Sequence, residues 1–393
     1  NGTLPLATAT TGVEGLEAII PIAPNTSYYH YYRSHGLVRS PGGYLGEDID
    51  VLYDFIHSGD ESKRSYNNKM VRDTEMANGM DRLTGDYNEF WAGRDYLNKM
   101  KDMKAALLMS HGFNDWNVMP EHSYRIYKQA KKQGLPTQVY YHQNGHGGPP
   151  PMTMMNRWFT RYLHSIENDV EKDAQAWIVR ENDDKDNPTA YDAYPNSNAQ
   201  PVTLHLNKGG NNSGMLSIEK NKNQGKENLV DDFNISGKDH ALAEYSTSRL
   251  LYVTPKLTQD LHLSGESSIS IGVASSKPAA NLSVWLVSLP WDENSKVITD
   301  NIITRGWADP QNHKSISQSQ PMKPGEFYYL NFALQPDDQI IREGQQIGLI
   351  IFSSDKEFTL HPKPGTELSV DLNATSLTIP VVGGSEAFKK ATK

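Results

Sequence analysis

Two textures divide the chain. Up to about residue 170, short unbroken apolar runs alternate with stretches in which apolar residues return every three or four positions. From about residue 200, short alternating segments are separated by Gly, Pro, Asn and Ser. An unbroken apolar run closed by a turn residue is what a strand covered on both faces requires, and a three-to-four period marks a helix with one buried face. On that basis residues 16–24 (LEAIIPIAP) predict a buried strand ended by proline, 105–110 (AALLMS) a central parallel strand, and 137–142 (TQVYYH) a third. Between the last two, a helix is expected to start at Pro120, a good first-turn proline, and to stop at Gly134. Strand, loop, helix, strand is the βαβ unit of a parallel sheet. Residues 152–166 predict an amphipathic helix with Met155, Trp158, Phe159 and Leu163 on its apolar side.

Residues 48–100 carry helical, polar-rich segments and no buried strand, as a cap of helices inserted over the sheet would. The second half offers strand candidates at 202–206, 243–252, 261–271, 282–289, 327–334, 346–353 and 376–382. Such spacing predicts an all-β sandwich or jelly roll. The expected organisation is an α/β domain from 1–47 and 101–180, a helical cap insertion at 48–100, a linker or surface loop at 181–200, and a β-sandwich at 201–393.

Composition narrows the function classes. Hydrophobic residues make up 37% and charged residues 22% of 393, with 20 Tyr and 7 Trp, which is a globular balance. The net charge of −9 is spread along the chain, which argues against nucleic acid and anionic membrane as partners. No apolar run approaches the roughly 20 residues that span a bilayer. Cysteine is absent, which removes disulfides, thiolate metal sites and cysteine nucleophiles, and leans slightly towards a bacterial secreted or cell-surface protein over a cytoplasmic one. The acidic run Glu181-Asn182-Asp183-Asp184-Lys185-Asp186 lacks the glycine and closing glutamate of a calcium loop, so a solvated loop is expected there, and no metal or cofactor. The opening Asn1-Gly2-Thr3 has neither an initiator Met nor a signal-peptide pattern, which suggests a processed, nicked or truncated product.

Open α/β sheets react at the carboxyl ends of their strands. Past the first central strand lies His111-Gly112-Phe113-Asn114-Asp115-Trp116-Asn117-Val118, and past the next lies Gln143-Asn144-Gly145-His146-Gly147-Gly148. An acid and then a base, Asp115 and His146, thus stand 31 residues apart on consecutive strand-end loops. That is the chain order of the last two members of an α/β-hydrolase triad. A buried carboxylate there would fix the imidazole tautomer and stabilise the imidazolium. Either residue alone could be a turn or cap residue. His111, His122 and His142 are competitors, the latter two weakened by lying in a first helical turn and within a strand. No Gly-x-Ser-x-Gly elbow occurs in residues 1–114. Asn1-Gly2 followed by an apolar helix and a strand looks instead like the exit from such an elbow, with the serine about two residues before Asn1.

Residues 1–166 resemble the catalytic domain of bacterial X-prolyl dipeptidyl aminopeptidases, serine peptidases related to cocaine esterase. The resemblance is carried by Thr11-Gly12-Val13-Glu14-Gly15-Leu16-Glu17-Ala18-Ile19, Ser27-Tyr28-Tyr29-His30-Tyr31-Tyr32-Arg33, Gly36-Leu37-Val38-Arg39-Ser40-Pro41-Gly42-Gly43, Gly46-Glu47-Asp48-Ile49-Asp50-Val51-Leu52 and His111-Gly112 to Val118. Arg305-Gly306-Trp307-Ala308-Asp309-Pro310 and Pro324-Gly325-Glu326 resemble the family's C-terminal jelly-roll domain more loosely. The resemblance implies an α/β-hydrolase fold, of which the chain would hold the C-terminal part of the sheet, followed by an all-β domain. It also implies release of a dipeptide from a free N-terminus when proline, or less well alanine, is second. Asp115 and His146 match the triad acid and base, and Tyr28, Tyr31, Asn117 and Val118 match positions around the proline pocket. Family elbows read Gly-x-Ser-Tyr-x-Gly, whose last two places Asn1-Gly2 fit. The expected partner is then the missing N-terminal segment of the same protein, without which the chain would be catalytically silent. A homodimer is compatible with the sequence. From chemistry alone, an exopeptidase needs a carboxylate for the substrate's α-ammonium, and Glu47, with Asp48, is the candidate; an acidic helix start is the plainer reading of both. An esterase or amino-acid-ester hydrolase of the same superfamily, and a β-sandwich binding module on a relic hydrolase domain, are the alternatives.

Overall fold

The computed structural model describes all residues except 1, 57–59, 181–182 and 363; the elbow expectation at Asn1 and the start of the expected linker lie outside the described residues. The first half builds a sheet of five strands, β1 (Ala18–Ile19), β2 (Ala106–Gly112), β3 (Thr137–His142), β4 (Ala176–Val179) and β5 (Thr189–Tyr191), arranged in that order. The first four are parallel and β5 is antiparallel. Every residue of β2 and β3 is buried. Because strand side chains alternate, Leu107 and Met109 of β2 pack with Tyr124, Ile126, Tyr127 and Ala130 of the crossover helix Glu121–Lys132. Ala106 and Leu108 face the other way, onto Trp158 of the helix Met152–Tyr162.

Three expectations need correction. The strand expected over residues 16–24 shrinks to Ala18–Ile19 with one further bridge, Ile22 to Ser110, since Pro21 and Pro24 have no N–H to give and Ala23 turns to φ 46°. Residues 183–200 are only in part the expected linker or surface loop. Past the polar turn, β5 extends the five-stranded sheet, and Tyr191 and Tyr194 are buried in its core beside Phe113, Tyr124 and Tyr141. Two large aromatic rings cannot be left in water cheaply, and they draw the segment onto the sheet. The strand expected over 243–252 starts only at Arg249, because Ser236 and Asp239 form a reciprocal cap that opens a helix, Gly237–Leu242, just before it.

The insertion over residues 48–100 is helical, with Ile49–Ile56, Glu61–Asn67, Asn68–Met76 and Glu89–Ala92 as its main pieces. Ile49, Met76 and Trp91 pack against Tyr29, Tyr31 and Tyr32 of the short helix Tyr28–Tyr32 and against Val118. The second half is all β. Its hydrogen-bonded path runs through Ile302–Ala308, Leu282–Leu289, Gln346–Phe352, Arg249–Val253, Gly214–Ser217, Ala199–Asn207, Glu367–Val382, Leu261–Ser275 and Tyr328–Ile341. The sheet wraps so that its ends meet: the Thr304 hydroxyl donates to the Gln335 carbonyl at 2.7 Å, and Gly306 leaves room for Leu334. One apolar core fills the inside, and the helix Gly384–Ala391 covers it with Phe388 and Ala391. No helix among the described residues is long and apolar enough to cross a membrane.

Candidate active site

β2 and β3 pair so that Gly112 stands opposite His142, and the two loops leave the sheet side by side. Phe113 N–H donates to the His142 carbonyl at 2.7 Å. The loops touch at Gly112, where a Cβ would lie 2.1 Å from the Asn144 oxygen and 2.5 Å from the Gly145 oxygen. Only glycine permits that approach. Asn114 Nδ2 closes the gap further on, donating to the Gln143 carbonyl at 2.8 Å and to Gln143 Oε1 at 3.0 Å.

This places Asp115 and His146 in contact. Asp115 is wholly buried, and its two oxygens divide their work. Oδ1 accepts the backbone N–H of Asn117 at 3.2 Å and of Val118 at 3.0 Å. Oδ2 accepts His146 Nδ1 at 2.8 Å and faces His111 Nε2 at 3.3 Å. Burial alone would raise the carboxyl, but the bonds from His111 and His146 overcome it and hold Asp115 at about 2. The same bond from Asp115 raises His146 above an ordinary histidine. The His146 side chain is 55% exposed and its Nδ1 is committed to the carboxylate, so Nε2 is the nitrogen able to exchange a proton.

His111 is a supporting residue that sequence reasoning treated only as a competitor. It is fully buried; its Nε2 lies 2.7 Å from the Val118 carbonyl, which can only accept, so Nε2 carries the proton and Nδ1 accepts from the Ser123 hydroxyl. The ring thereby holds the acid loop in shape and aims its N–H edge at Asp115. His122 and His142 are buried elsewhere: His122 Nδ1 accepts from Thr26 N–H at 3.1 Å, and His142 accepts from Asn144 N–H at 3.2 Å.

The remaining candidates divide between the acid loop and the helical insertion. Tyr31 donates to Asn117 Oδ1 at 3.1 Å, two residues from Asp115, and Val118 packs in the same aromatic cluster. Burial, reinforced by the negative charge of Glu47, pushes the Tyr31 hydroxyl up. Glu47 is half-buried, accepts from Tyr32 Oη at 2.8 Å, and is itself raised by burial. Tyr28, one turn before Tyr31, lines a cavity of about 470 Å³ with Ile49, Leu52, Tyr53, Val71 and Met76. Asp48 requires a correction. It is 2% exposed, receives a two-pronged bond from Arg33 at 3.2 and 3.0 Å and another from Arg82 at 3.1 Å. Both oxygens are spent on the fold, so Asp48 has nothing to offer an ammonium. Among the described residues, no group of three or more His, Asp or Glu side chains is placed to hold a metal ion.

Family comparison agrees with this geometry on both halves. Residues 1–148 match the model of the X-Pro dipeptidyl-peptidase (S15 family), and residues 168–390 match that of the X-Pro dipeptidyl-peptidase C-terminal non-catalytic domain. The chain belongs to the X-Pro dipeptidyl-peptidase family. A relative from Rhodopirellula baltica, provisionally named an Xaa-Pro dipeptidyl-peptidase, is 60% identical over 388 residues, which cover 98% of this chain and 62% of the relative. The chain therefore spans less than two thirds of that relative's length. Among solved structures, an aminopeptidase from a marine-sediment Thaumarchaeota archaeon superposes with a TM-score of 0.73 at 13% identity, covering 96% of this chain and 74% of its own. An α-amino acid ester hydrolase does so at 0.69 and 15%, covering 97% and 75%. At such identities these two speak for the fold, that of an α/β hydrolase followed by a β-rich domain.

Proposed function

We propose that the full-length protein is a serine exopeptidase that releases Xaa-Pro dipeptides from free N-termini. The observation that carries this is the buried, fully hydrogen-bonded Asp115 holding His146 by Nδ1 in a member of this family. The nucleophile is a serine of the segment preceding Asn1. Gly2 supports that placement: it opens the helix Thr3–Ala9 and packs so tightly that a Cβ would lie 2.3 Å from the Ile22 oxygen, as the closing glycine of an elbow should.

The chemistry is acyl transfer. His146 Nε2 takes the serine proton as Oγ bonds to the prolyl carbonyl carbon, while Asp115 stabilises the imidazolium. The tetrahedral species collapses by breaking the C–N bond, with His146 returning the proton to the leaving amine. Water then repeats the sequence on the ester and frees the dipeptide. Tyr31 and Asn117 border the prolyl site, and Glu47 holds the α-ammonium; its partly buried carboxylate is worth more to a cation there than in open water.

The test compares alanyl-prolyl p-nitroanilide, its N-acetylated counterpart and a simple aryl ester. Rapid release from the first alone, with a KM for it that rises in Glu47→Gln, is expected. Ester hydrolysis without anilide release would transfer the chain to the esterases. Failure to label with an organophosphonate would end the serine-hydrolase reading altogether.

A further inference from the structure

A buried side chain of the base loop, Gln143, three residues before His146, binds the β domain. Its amide is used in both directions. Nε2 donates to Asp337 Oδ1 at 3.1 Å and to the Asp338 carbonyl at 2.6 Å, both on the strand Tyr328–Ile341 of the β domain. Oε1 accepts from Asn114, the residue before Asp115. Reversing the amide would set donor against donor at Asn114 and acceptor against acceptor at Asp337, so its orientation is fixed by its neighbours. Asn114, Gln143, Asp337 and Asp338 are 4, 5, 6 and 0% exposed, so water does not compete for these bonds. The anchor is itself held: Asp338 Oδ1 accepts Arg180 Nε and His262 Nε2, each at 2.9 Å, and the Tyr194 hydroxyl donates to the Asp337 carbonyl at 2.9 Å.

The acid loop is gripped from the β domain a second time. The guanidinium of Arg305 lies 4.3 Å from the ring centre of Trp116, next to Asp115, and 4.0 Å from that of Trp285. Both loops therefore meet each other across Gln143 and meet the β domain at separate points. A hydrogen bond between two loops keeps its length only if both are fixed, and His146, half in solvent, has few contacts of its own to fix it.

We propose that Gln143 is a positioning residue for the Asp115–His146 pair, and that the β domain, which touches no reacting atom, sets the geometry of the base through it. This rests on the function proposed above. A displaced His146 loses part of its bond to Asp115, and since that bond raises the histidine, its titration moves down. General-base action needs neutral His146, so the acid limb of kcat/KM should follow it to lower pH.

The experiment uses the full-length protein with Gln143→Leu, and Lys128→Ala as control. Lys128 also bridges the domains, at 3.0 Å to Glu266, but on an exposed flank away from both loops. On alanyl-prolyl p-nitroanilide, Gln143→Leu should lower kcat by ~10- to 100-fold with KM changed less than about twofold, and shift the acid limb downward. Lys128→Ala should leave kcat and the limb in place. Wild-type kcat and limb in Gln143→Leu, or equal losses in both variants, would overturn the proposal. If Gln143→Leu does not fold, Gln143→Met keeps most of the volume, adds no charge and removes the amide bonds to Asn114, Asp337 and Asp338, and the same criteria apply. Should the unaltered protein fail to cleave the anilide, the function itself is refuted. NMR titration of His146 would still decide positioning, an unshifted midpoint in Gln143→Leu counting against it.

Discussion

Replacing Asp115 by asparagine leaves the side chain its shape and tests whether the carboxylate is there for its charge and its acceptors. The backbone N–H groups of Asn117 and Val118 both point at Oδ1 and can be met only by an oxygen, which fixes how the new amide turns. Its NH₂ then occupies the Oδ2 position, facing His146 Nδ1 and the protonated Nε2 of His111. Against His111 that is donor on donor. Against His146 it is tolerable only if Nδ1 surrenders its proton, which moves the proton to Nε2, the atom that has to accept from serine. The variant should therefore fold and bind substrate while losing ~10⁴-fold in kcat, about 5.5 kcal/mol of barrier. Turnover of alanyl-prolyl p-nitroanilide per organophosphonate-titrated site, with the acid limb recorded alongside, reads the outcome. A loss smaller than ~10-fold would mean that Asp115 is not the orienting acid, and the tautomer argument with it would be refuted.

Two further changes test neighbouring physics. Burial pushes Asp309 up to about 6 from an ordinary value near 3.8. A carboxyl raised on folding destabilises the fold in full above its folded pKa, and that penalty is relieved as pH falls from about 6 towards 3.8. Asp309→Asn should thus melt higher than the unaltered protein at neutral pH, by at most ~3 kcal/mol, with the difference closing on acidification; a difference independent of pH would contradict this. Gly112→Ala places a methyl 2.1 Å from the Asn144 oxygen, which belongs to backbone and cannot swing aside. It should cost ~1–3 kcal/mol of stability in thermal melts and a larger share of kcat, and unaltered turnover would show that the base loop is free to relax.

The βαβ unit and the positions of Asp115 and His146 were legible because each has a local signature. β2 is a nearly continuous apolar run, β3 follows it one helix later, and Asp115 and His146 fall on the loops that such strands must expose. What escaped was decided by distance. Nothing near Asp48 reveals that Arg82, 34 residues later, will claim its carboxylate. His111 looked like a rival base, and only its packing beside Ser123 and Val118 shows it as a support. Residues 181–200 read as a linker or surface loop because their polar opening hides the burial of Tyr191 and Tyr194. The strands Gly214–Ser217, Lys226–Val230 and Ile302–Ala308 went unnoticed because they are short or their glycine and polar residues break the alternation.

The bonds from Gln143 to the strand Tyr328–Ile341 span 194 and 195 positions of sequence. Synthesis runs from one end, so the α/β half leaves the ribosome and collapses well before the strand that steadies its base loop exists. A nascent chain stopped anywhere short of Asp337 carries acid and base without the means to hold them at working distance. If Gln143 positions the base as proposed, the α/β half gains its working geometry only after a strand made almost two hundred residues later has docked against it.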